Sequence, residues 1–529
     1  MRSLIFLSIL FVFIQASVAN NNLKTDNSKN RLIESDFNLV KGSKSSIYNF
    51  CVGAGRAHEG LRADWQKQFS ETVKDIGFRY IRFHGLLCDE MAVYSEDAAG
   101  KPVYNFQYID KLFDFLLANN VRPFVELGFM PTKLASSDKT IFWWKGNVSN
   151  PKDYDKWGLL IEKLAAHFVA RYGEEEVAKW YFEVWNEPNL KSFSQNGDIN
   201  DYFKLYESAA KAVKRVSTKL RVGGPSATEH NWISEMITYC QTNHVPLDFL
   251  SSHSYGVNDG GFLDEFGTRN VITNGNTNLI PDGVKATREK INKTAYKNCE
   301  LHYTEWSSSY TSRDPIHDTY INAAYVLNVL RNIDNAAKSM SYWTFTDIFE
   351  EIGPVTKPIH GGFGLLTVHD IKKPTYFAYK FLNELGSTEL KTNDSSSWVC
   401  KDEKGNVQIL AYDLSMPKQD KIANQVFYRK KIVAEDKSSL TIKINNIPNG
   451  KYLLEEFKVG FQQNDMFSTY FDLGLPDELT INQEAALKKS ATGEPVESKI
   501  IEISNSQFVY SGQIKENDIR FLKLTKLFQ

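Results

Sequence analysis

Short strand-like runs alternate with longer helical stretches over residues 48–385, and this alternation constrains the fold more than any other feature of the sequence. The strand-like runs are rich in β-branched and aromatic residues, and four of the eight end in Gly or Pro. They cover residues 48–55, 80–85, 122–128, 180–185, 221–225, 248–255, 300–306 and 341–345. The helical stretches have the apolar spacing of a single buried helix face and cover 65–76, 109–118, 154–172, 202–216 and 320–337. Eight strands that alternate with helices predict an α/β fold, a (β/α)8 TIM barrel.

An open, doubly wound sheet is the structural alternative, because it also alternates strands with helices. Many such sheets carry a Gly-x-Gly-x-x-Gly turn after the first strand, where it holds a dinucleotide. No such run follows any of the predicted strands, and Gly53-Ala54-Gly55 is too short to form a phosphate-binding loop. The closed barrel is therefore the prediction for residues 48–387.

The sequence changes character near residue 388, where strand-like runs are separated by turns rather than by helices. These runs cover 398–413, 421–427, 440–444, 451–458, 498–504 and 518–527, and a Pro-Asn-Gly turn, Pro448-Asn449-Gly450, lies among them. The pattern predicts a C-terminal β-sandwich over residues 388–529. Residues 20–47 are expected to form a linker and an N-terminal strand, at about 31–46, which could join that sandwich and dock the two domains.

The first 19 residues have the features of a secretory signal peptide. A short basic start, Met1-Arg2-Ser3, precedes an apolar run over residues 4–14, and Ser17-Val18-Ala19 offers small residues for cleavage after Ala19. The apolar run is short for a membrane anchor, and polar residues follow at once. We therefore expect a secreted or periplasmic protein that has no membrane segment once the signal is removed.

Composition argues against several classes of partner and cofactor. A net charge of −2 offers no electrostatic basis for binding nucleic acid. Five cysteines in 529 residues are too few for a disulfide scaffold. The histidines and cysteines show no His-Glu-x-x-His motif or Cys/His cluster, so no metal or other cofactor is expected.

Two glutamates lie at the ends of the fourth and seventh predicted strands. Side chains alternate along a strand, which predicts that Glu183, Trp185 and Glu187 share one face, and that Leu301, Tyr303 and Glu305 share another. The carboxyl ends of barrel strands carry the catalytic groups in enzymes with this fold. Two carboxylates that face each other there can supply the proton donor and the nucleophile that cleavage of a glycosidic bond requires.

Arg82 is predicted by the same alternation to point into the barrel, one layer below its mouth. A buried guanidinium needs carboxylate partners, and Glu183 and Glu305 are the candidates. Its charge would keep the nucleophile ionised while Glu187 stays protonated in a less polar position. Glu126 is also inward by alternation, and we interpret it as structural.

The segments around both glutamates resemble the motifs of clan A retaining glycosidases, and more narrowly those of glycoside hydrolase family 39, which includes β-xylosidases and α-L-iduronidases. The matching segments are 184–190 and 303–306 at the glutamates, and 77–87, 252–255, 341–347 and 360–365 elsewhere. The last two favour the β-xylosidase branch. Phe83 stands where that branch more often has Gly, but alternation points it away from the barrel axis.

The resemblance implies a role for each candidate residue. Glu187 would act as general acid and then general base, and Glu305 as the nucleophile that forms a covalent glycosyl–enzyme. Asn186 would bind the 2-hydroxyl of the sugar. The other substrate-binding candidates are His84, His253, Tyr255, Tyr310, which could orient the nucleophile, Trp343, as a stacking floor, and Glu350, with Glu351 as its alternative.

The resemblance also implies a function: a retaining hydrolase, free of cofactors, that releases xylose from β-linked xylo-oligosaccharides or xylosides. One alternative is the same chemistry on another sugar, as an α-L-iduronidase, arabinosidase or glucosidase. An iduronidase would need a basic clamp for the uronate carboxylate, and the strand ends offer only Arg56, Arg82 and Lys133. A second alternative is an inactive carbohydrate-binding protein. A homo-oligomer would be consistent with the family, although nothing in the sequence shows one.

Overall fold

The computed structural model describes residues 30–263 and 269–527 of the chain. The predicted signal peptide over residues 1–19 lies outside this part. Among the helices of the described residues, none is both long and apolar enough to cross a membrane. All five cysteines are free thiols.

Eight parallel strands close a barrel, and a helix follows each of them, so the predicted (β/α)8 fold is confirmed. The strands are β1 (Cys51–Arg56), β2 (Tyr80–His84), β3 (Arg122–Leu127), β4 (Tyr181–Val184), β5 (Arg221–Thr228), β6 (Phe249–Tyr255), β7 (Glu300–Ser307) and β8 (Ser339–Tyr342). The helices are α1 (Ala63–Ile76), α2 (Gln107–Ala118), α3 (Tyr154–Tyr172), α4 (Ile199–Val216), α5 (Ile233–Asn243), α6 (Leu279–Asn292), α7 (Tyr320–Ile333) and α8 (Pro374–Glu384). Each strand pairs with the next along the chain, and β8 pairs with β1.

Three of these helices, α5, α6 and α8, were not predicted from the sequence. In α6 a Pro-Asp-Gly run, which reads as a turn, occupies the first turns of the helix. Proline is tolerated at the start of a helix because the first N–H groups have no partner within the helix, and α8 likewise begins at Pro374. Because turn-forming residues occupy the first turns of α6 and α8, the sequence pattern did not predict these two helices.

The second domain is built on one sheet of nine strands that folds over on itself as a sandwich. Its strands, in spatial order, are Glu497–Ile503, Gly450–Val459, Ile519–Lys526, Val407–Tyr412, Ser397–Lys401, Thr388–Thr392, Arg31–Ser43, Asp436–Asn445 and Gln507–Lys515. Strands from both ends of this order share one apolar core, to which Ile442 and Tyr452 both contribute. The strand Arg31–Ser43 runs antiparallel to Thr388–Thr392 on one side and parallel to Asp436–Asn445 on the other.

One predicted strand of this domain, residues 421–427, is wrong, because the segment contains a short helix, Asn424–Phe427. The side chain of Asn424 donates to Asp314 and accepts from Thr273, so it fixes the segment against loops of the barrel. These tertiary contacts override the local preference of the apolar residues for a strand. Two further helices of the domain are Met466–Asp472 and Ile481–Lys489.

The barrel interior is aromatic at its N-terminal end and ionic above that layer. The aromatic layer contains Phe50, Tyr80, Phe124, Tyr181 and Phe249. The ring centroids of Phe124 and Tyr181 lie 4.8 Å apart in a stacked arrangement. Rings therefore fill the bottom of the barrel, and the open end is left for charged side chains.

Three short ribbons are inserted in the loops that follow β2, β3 and β6. They are Tyr94–Glu96 with Pro102–Tyr104, Thr140–Ile141 with Gly146–Asn147, and Val257–Leu263 with Arg269–Thr273. These loops follow the carboxyl ends of the strands, which is the face where barrel enzymes carry their active sites.

Candidate active site

Glu187 reaches the mouth of the barrel through a sharp turn rather than by strand alternation. Strand β4 ends at Val184, and the backbone then takes left-handed conformations at Trp185 (φ 73°) and Glu187 (φ 43°). The prediction that Trp185 shares a face with Glu187 is wrong, because Trp185 donates from Nε1 to the carbonyl oxygen of Phe193 at 2.7 Å. Non-glycine residues held in this region are strained, and such strain collects at functional sites.

A bulge in β7 places Glu305 inward. In the register of β6 against β7, Ser252 lies opposite Tyr303 and His253 lies opposite Glu305, so Thr304 is an extra residue. Thr304 points into the barrel, where its hydroxyl donates to Glu183 at 2.9 Å.

The bulge also shows that the predicted inward position of Leu301 and Tyr303 is wrong. Tyr303 points outward, and its hydroxyl lies 2.6 Å from Nδ1 of His230. His302, between the two, packs instead on the ring of Tyr181 in the aromatic layer, with centroids 4.7 Å apart. A uniform alternation along β7 fails because the extra residue reverses the face of every position on one side of it.

The carboxylates of Glu187 and Glu305 face each other across the mouth. An oxygen of each and one ring nitrogen of His253 all lie within 4.8 Å of one another. Retaining glycosidases hold their two carboxyl groups roughly 5–5.5 Å apart, whereas inverting enzymes leave roughly 6.5–9.5 Å for a water molecule. A separation of at most 4.8 Å between one oxygen of each carboxylate favours a retaining pair.

Arg82 lies beneath the pair and is completely buried. It donates from Nε to Glu183 and from Nη1 to Glu305, each at 2.6 Å, which are the two partners that alternation predicted. Its Nη2 lies 2.9 Å from both Glu126 and the amide oxygen of Asn186. Burial alone would lower the pKa of Arg82, but the three carboxylates hold that pKa above its ordinary value.

Both oxygens of Glu305 accept a hydrogen bond. Oε1 accepts from Arg82, and Oε2 accepts from the hydroxyl of Tyr255 at 2.7 Å. Burial, followed by the charge of Glu305, raises the pKa of Tyr255 well above its ordinary value, so the phenol remains a donor. The Glu305 carboxylate is therefore fixed in one orientation, as an attacking group must be.

Glu187 has the environment of a proton donor. Burial, followed by the negative charge of Glu305, raises the pKa of Glu187 well above its ordinary value, although Arg82 acts in the opposite direction. Nδ1 of His253 lies 2.9 Å from Oε1 of Glu187. Burial lowers the pKa of His253 well below its ordinary value, so its ring is neutral. The environment of Glu187 thus suits a proton donor, and the two hydrogen bonds to Glu305 suit a nucleophile.

Most of the other candidates surround the pair. His84 lies 2.7 Å from Glu126 and 3.5 Å from Glu305. The ring of Trp343 lies 4.9 Å from that of His84 and is buried against aromatic neighbours. Tyr310 is 37% exposed and packs edge-on against Tyr255, so it is joined to Glu305 through that ring.

The structure disfavours Glu350 as the sugar-binding glutamate, the role that was predicted for it with Glu351 as the alternative. The Glu350 carboxylate accepts from Arg56 at 2.8 Å and from Arg62 at 2.9 Å, and both oxygens are thereby engaged. Glu351, the alternative, has an oxygen 3.8 Å from Nε2 of His84. Burial, followed by the charges of Glu305 and Glu187, raises the pKa of Glu351 well above its ordinary value. Both residues lie in a loop, where strand alternation cannot decide which one faces the site.

An aromatic loop at the mouth was missed in the sequence. Phe142 stacks on His84 with centroids 6.0 Å apart. Trp143 donates its backbone N–H to the carbonyl oxygen of Glu351 at 2.7 Å, yet its side chain is 56% exposed. The available signal was the run Phe142-Trp143-Trp144 in the loop after β3. An exposed indole fixed beside the mouth can stack on the part of a ligand that extends out of the site.

Within the described residues, Glu187, His253 and Glu305 are the one group close enough to hold a metal ion. The positive charge that this carboxylate pair requires is already supplied by Arg82. We therefore assign no metal to the site.

Arg82→Met should leave a folded protein with greatly reduced turnover. Without the guanidinium, Glu305 loses its fixed orientation and Glu126, Glu183 and Glu305 lose a shared cation, so we expect kcat to fall about 100-fold or more. Pre-steady-state release of an aryl group would locate the loss in the first chemical step, and circular dichroism would establish folding. Arg82→Lys, which keeps the charge, should lose less. Unchanged turnover in the methionine variant would remove Arg82 from the mechanism.

The pH dependence of the reaction should follow the proton on Glu187. A group that must be protonated loses function as the pH rises through its pKa, and the pKa of Glu187 is held well above its ordinary value of 4.5. For a substrate with a poor leaving group, kcat/KM should therefore persist well above pH 4.5 and then fall. A fall near the ordinary carboxyl pKa would contradict the assignment of Glu187 as the acid.

Comparison with known proteins agrees with this geometry. The model of the glycosyl hydrolases of family 39 matches residues 32–499. The chain is 42% identical over 387 residues to a β-xylosidase of Geobacillus stearothermophilus, which covers 72% of this chain and 76% of that protein. It is 44% identical over 351 residues to a β-xylosidase of Caldicellulosiruptor saccharolyticus, covering 66% and 71% respectively. A crystal structure of a monomeric β-xylosidase from Caulobacter crescentus CB15 superimposes with a TM-score of 0.91 at 38% identity, over 94% of this chain and all of that one.

Proposed function

Because the chain belongs to family 39 of the glycosyl hydrolases, we propose that it is a retaining β-xylosidase that releases xylose from xylosides and xylo-oligosaccharides. The observation that carries this proposal is the carboxylate pair, with oxygens of Glu187 and Glu305 within 4.8 Å and Arg82 bound beneath. The choice of xylose is supported by the similarity to two β-xylosidases that extends over most of the chain.

The reaction proceeds in two displacements. In the first, an oxygen of Glu305 attacks the anomeric carbon while Glu187 gives its proton to the departing glycosidic oxygen, and a covalent glycosyl ester forms. In the second, the Glu187 carboxylate takes a proton from water, the water oxygen attacks the anomeric carbon, and Glu305 departs. Two inversions give net retention of the anomeric configuration, and Glu187 recovers its proton.

Asn186 is oriented to bind the sugar. Its amide oxygen accepts from Nη2 of Arg82 at 2.9 Å, so its NH2 group is turned away from the guanidinium and can donate to a hydroxyl. A donor beside the two carboxylates suits the sugar 2-hydroxyl, whose hydrogen bond strengthens in the transition state. Arg82 therefore orients both the nucleophile and this amide.

The geometry disfavours an α-L-iduronide as the substrate. Two of the basic residues at the strand ends are already engaged by carboxylates of the protein. Arg56 binds Glu59, Glu90 and Glu350 at 2.8–2.9 Å. Arg82 binds Glu126, Glu183 and Glu305 at 2.6–2.9 Å. Neither guanidinium is left to clamp the carboxylate of a uronic acid, which a buried charge of this kind would require.

A panel of aryl glycosides tests the choice of sugar. We expect chromophore release from the β-xyloside to exceed release from the β-glucoside, α-L-arabinoside and α-L-iduronide. Proton NMR of the first product should show β-xylose before mutarotation. Faster cleavage of the iduronide would replace the proposed substrate, first-formed α-xylose would exclude retention, and no release from any member would favour a binding protein.

We also propose that the protein is exported, on the strength of the signal-like residues 1–19 alone. Expression with the native N-terminus, followed by N-terminal sequencing of the mature protein, should give a chain beginning at Asn20. An intact N-terminus retained inside the cell would contradict export.

A further inference from the structure

Glu126, an inward residue of β3, directly contacts one of the substrate-binding candidates. Its Oε2 lies 2.7 Å from Nδ1 of His84, the last residue of the neighbouring strand β2. Both residues are buried, with 1% of Glu126 and 2% of His84 exposed. Because the hydrogen bond of one ring nitrogen decides what the other can do, Glu126 is placed to control the bonding of His84 at the mouth of the barrel.

The hydrogen in this contact lies on the imidazole. Oε2 of Glu126 is also 2.9 Å from Nη2 of Arg82. A guanidinium only donates, so this oxygen already serves as an acceptor, and a hydrogen of its own would have to share that position. Nδ1 of His84 is accordingly the donor to Glu126.

The other ring nitrogen, Nε2, faces the site at longer distances. It lies 3.5 Å from Oε1 of Glu305 and 3.8 Å from Oε1 of Glu351, beyond the usual length of a charge-assisted hydrogen bond. A hydrogen on Nε2 would draw it toward the Glu305 carboxylate, whose Oε1 instead accepts from Arg82 at 2.6 Å. These distances indicate a bare Nε2, which is a hydrogen-bond acceptor.

Aromatic neighbours hold the plane of the His84 ring. Phe129 stacks on it with centroids 5.7 Å apart, and Trp343 lies against it at 4.9 Å in a tilted arrangement. With the plane held by packing, the bond from Nδ1 to Glu126 determines the direction in which Nε2 points.

The second oxygen of Glu126 does not contribute to holding the fold. Oε1 is buried and accepts no hydrogen bond from the residues that the structure describes. Buried polar atoms are almost always hydrogen-bonded, so an unpaired one is a cost that calls for an explanation. The contacts of Oε2 with Arg82 and His84, both beside the nucleophile, supply that explanation.

We propose that Glu126 is a positioning residue, which holds the hydrogen of a neutral His84 on Nδ1 so that Nε2 accepts a hydrogen bond from a hydroxyl of the bound sugar. That the ligand is a sugar rests on the proposed function. The state of the His84 ring in the free protein does not depend on it.

Two variants of Glu126 separate the loss of the acceptor from the loss of charge. Glu126→Gln and Glu126→Leu both remove the charge, but only glutamine keeps an oxygen for Arg82 and His84. Its NH2 group takes the place of Oε1, which has no donor to lose. In Glu126→Leu the Nδ1 hydrogen has no acceptor, and the hydrogen should move to Nε2, beside Glu305.

Steady-state kinetics on an aryl xyloside should therefore distinguish the two variants. We expect kcat/KM to fall roughly tenfold or more in Glu126→Leu, the loss that follows when a buried hydrogen-bonding group is left unpaired, and clearly less in Glu126→Gln. Circular dichroism would establish folding. Equal losses in the two variants would show that only the charge matters and would overturn the proposal.

Magic-angle-spinning NMR of the full chain, labelled with 13C and 15N in histidine, reads the ring directly. His84→Gln identifies the signals of His84 by their loss. The hydrogen should lie on Nδ1 in the wild type and in Glu126→Gln, and on Nε2 in Glu126→Leu. A wild-type ring with a hydrogen on Nε2, alone or together with Nδ1, would overturn the proposal, and this result stands even if the leucine variant does not fold.

Fluorinated substrates test the bond to the sugar. Aryl 3-deoxy-3-fluoro and 4-deoxy-4-fluoro xylosides each lack one hydroxyl hydrogen that could be donated to Nε2. The advantage of the wild type over Glu126→Leu should disappear for one of them, and that substrate identifies the hydroxyl. An advantage that is undiminished on both would overturn the proposal, whereas a wild type that cleaves no xyloside would contradict the proposed function and leave the NMR result to decide the role of Glu126.

Discussion

Glu305→Ala should reduce turnover of every xyloside by at least about 10³-fold, because no other group can form the covalent intermediate. The two donors that fix the carboxylate, Arg82 and Tyr255, remain in this variant, but the carboxylate that they orient is gone. Steady-state kinetics on an aryl xyloside would measure the loss. Added azide should enter the space left by the side chain and attack the anomeric carbon once, giving the α-xylosyl azide.

The control for this variant lies on the same strand. Glu300 begins β7 at the opposite end of the barrel, so Glu300→Gln should keep turnover close to that of the wild type. A Glu305→Ala enzyme that retained substantial turnover, or that gave a β-xylosyl azide, would show that another residue attacks the sugar.

Glu187→Ala should affect substrates according to how much they need a proton. For xylobiose, whose leaving group is a poor one, we expect kcat/KM to fall about 10²–10⁴-fold, the usual contribution of general acid catalysis. For a dinitrophenyl xyloside, which departs without a proton, the first step should be nearly unaffected. The covalent intermediate should then accumulate, because the second step has lost its base.

The leaving-group comparison is decisive because both substrates use the same sugar. Azide should rescue the dinitrophenyl substrate and give the β-xylosyl azide, since it needs no base to attack the covalent intermediate. Glu350→Gln is a matched control that also removes a carboxylate near the mouth. Because the Glu350 carboxylate is bound to Arg56 and Arg62, this variant should not distinguish the two substrates. An equal loss on both substrates in Glu187→Ala would argue that Glu187 only positions the sugar.

The sequence was sufficient to predict the barrel and to place the two candidate catalytic glutamates at its mouth, and the reason is physical. Buried parallel strands and amphipathic helices leave a pattern that depends only on which faces are covered, and that pattern persisted through all eight strands. The place of Glu187 at the mouth was also predicted, although the strand ends at Val184 rather than at Pro188 and a sharp turn carries Glu187 there. The inward position of Arg82 followed from alternation because β2 is regular.

Other features depend on local backbone geometry that no periodic pattern contains. The bulge at Thr304 and the left-handed residues Trp185 and Glu187 reversed the expected faces at both strand ends. The choice between Glu350 and Glu351 depended on Arg56, which lies far away in the sequence. These errors all fall at the site itself, where local regularity gives way to the positioning of side chains.

The strand Arg31–Ser43 has a consequence for how the chain can be made and divided. It enters the sheet of the second domain before the barrel begins, and its two neighbours, Thr388–Thr392 and Asp436–Asn445, emerge only after the barrel is complete. During synthesis this strand therefore has no partner strand until more than three hundred further residues have been made. A protein truncated after residue 387 would lack both partners of the strand Arg31–Ser43. The unpaired backbone N–H and C=O groups of this strand would then form an edge that is prone to aggregation. A single cut at residue 387 therefore does not separate the barrel cleanly, and attempts to express the barrel alone should begin after this strand.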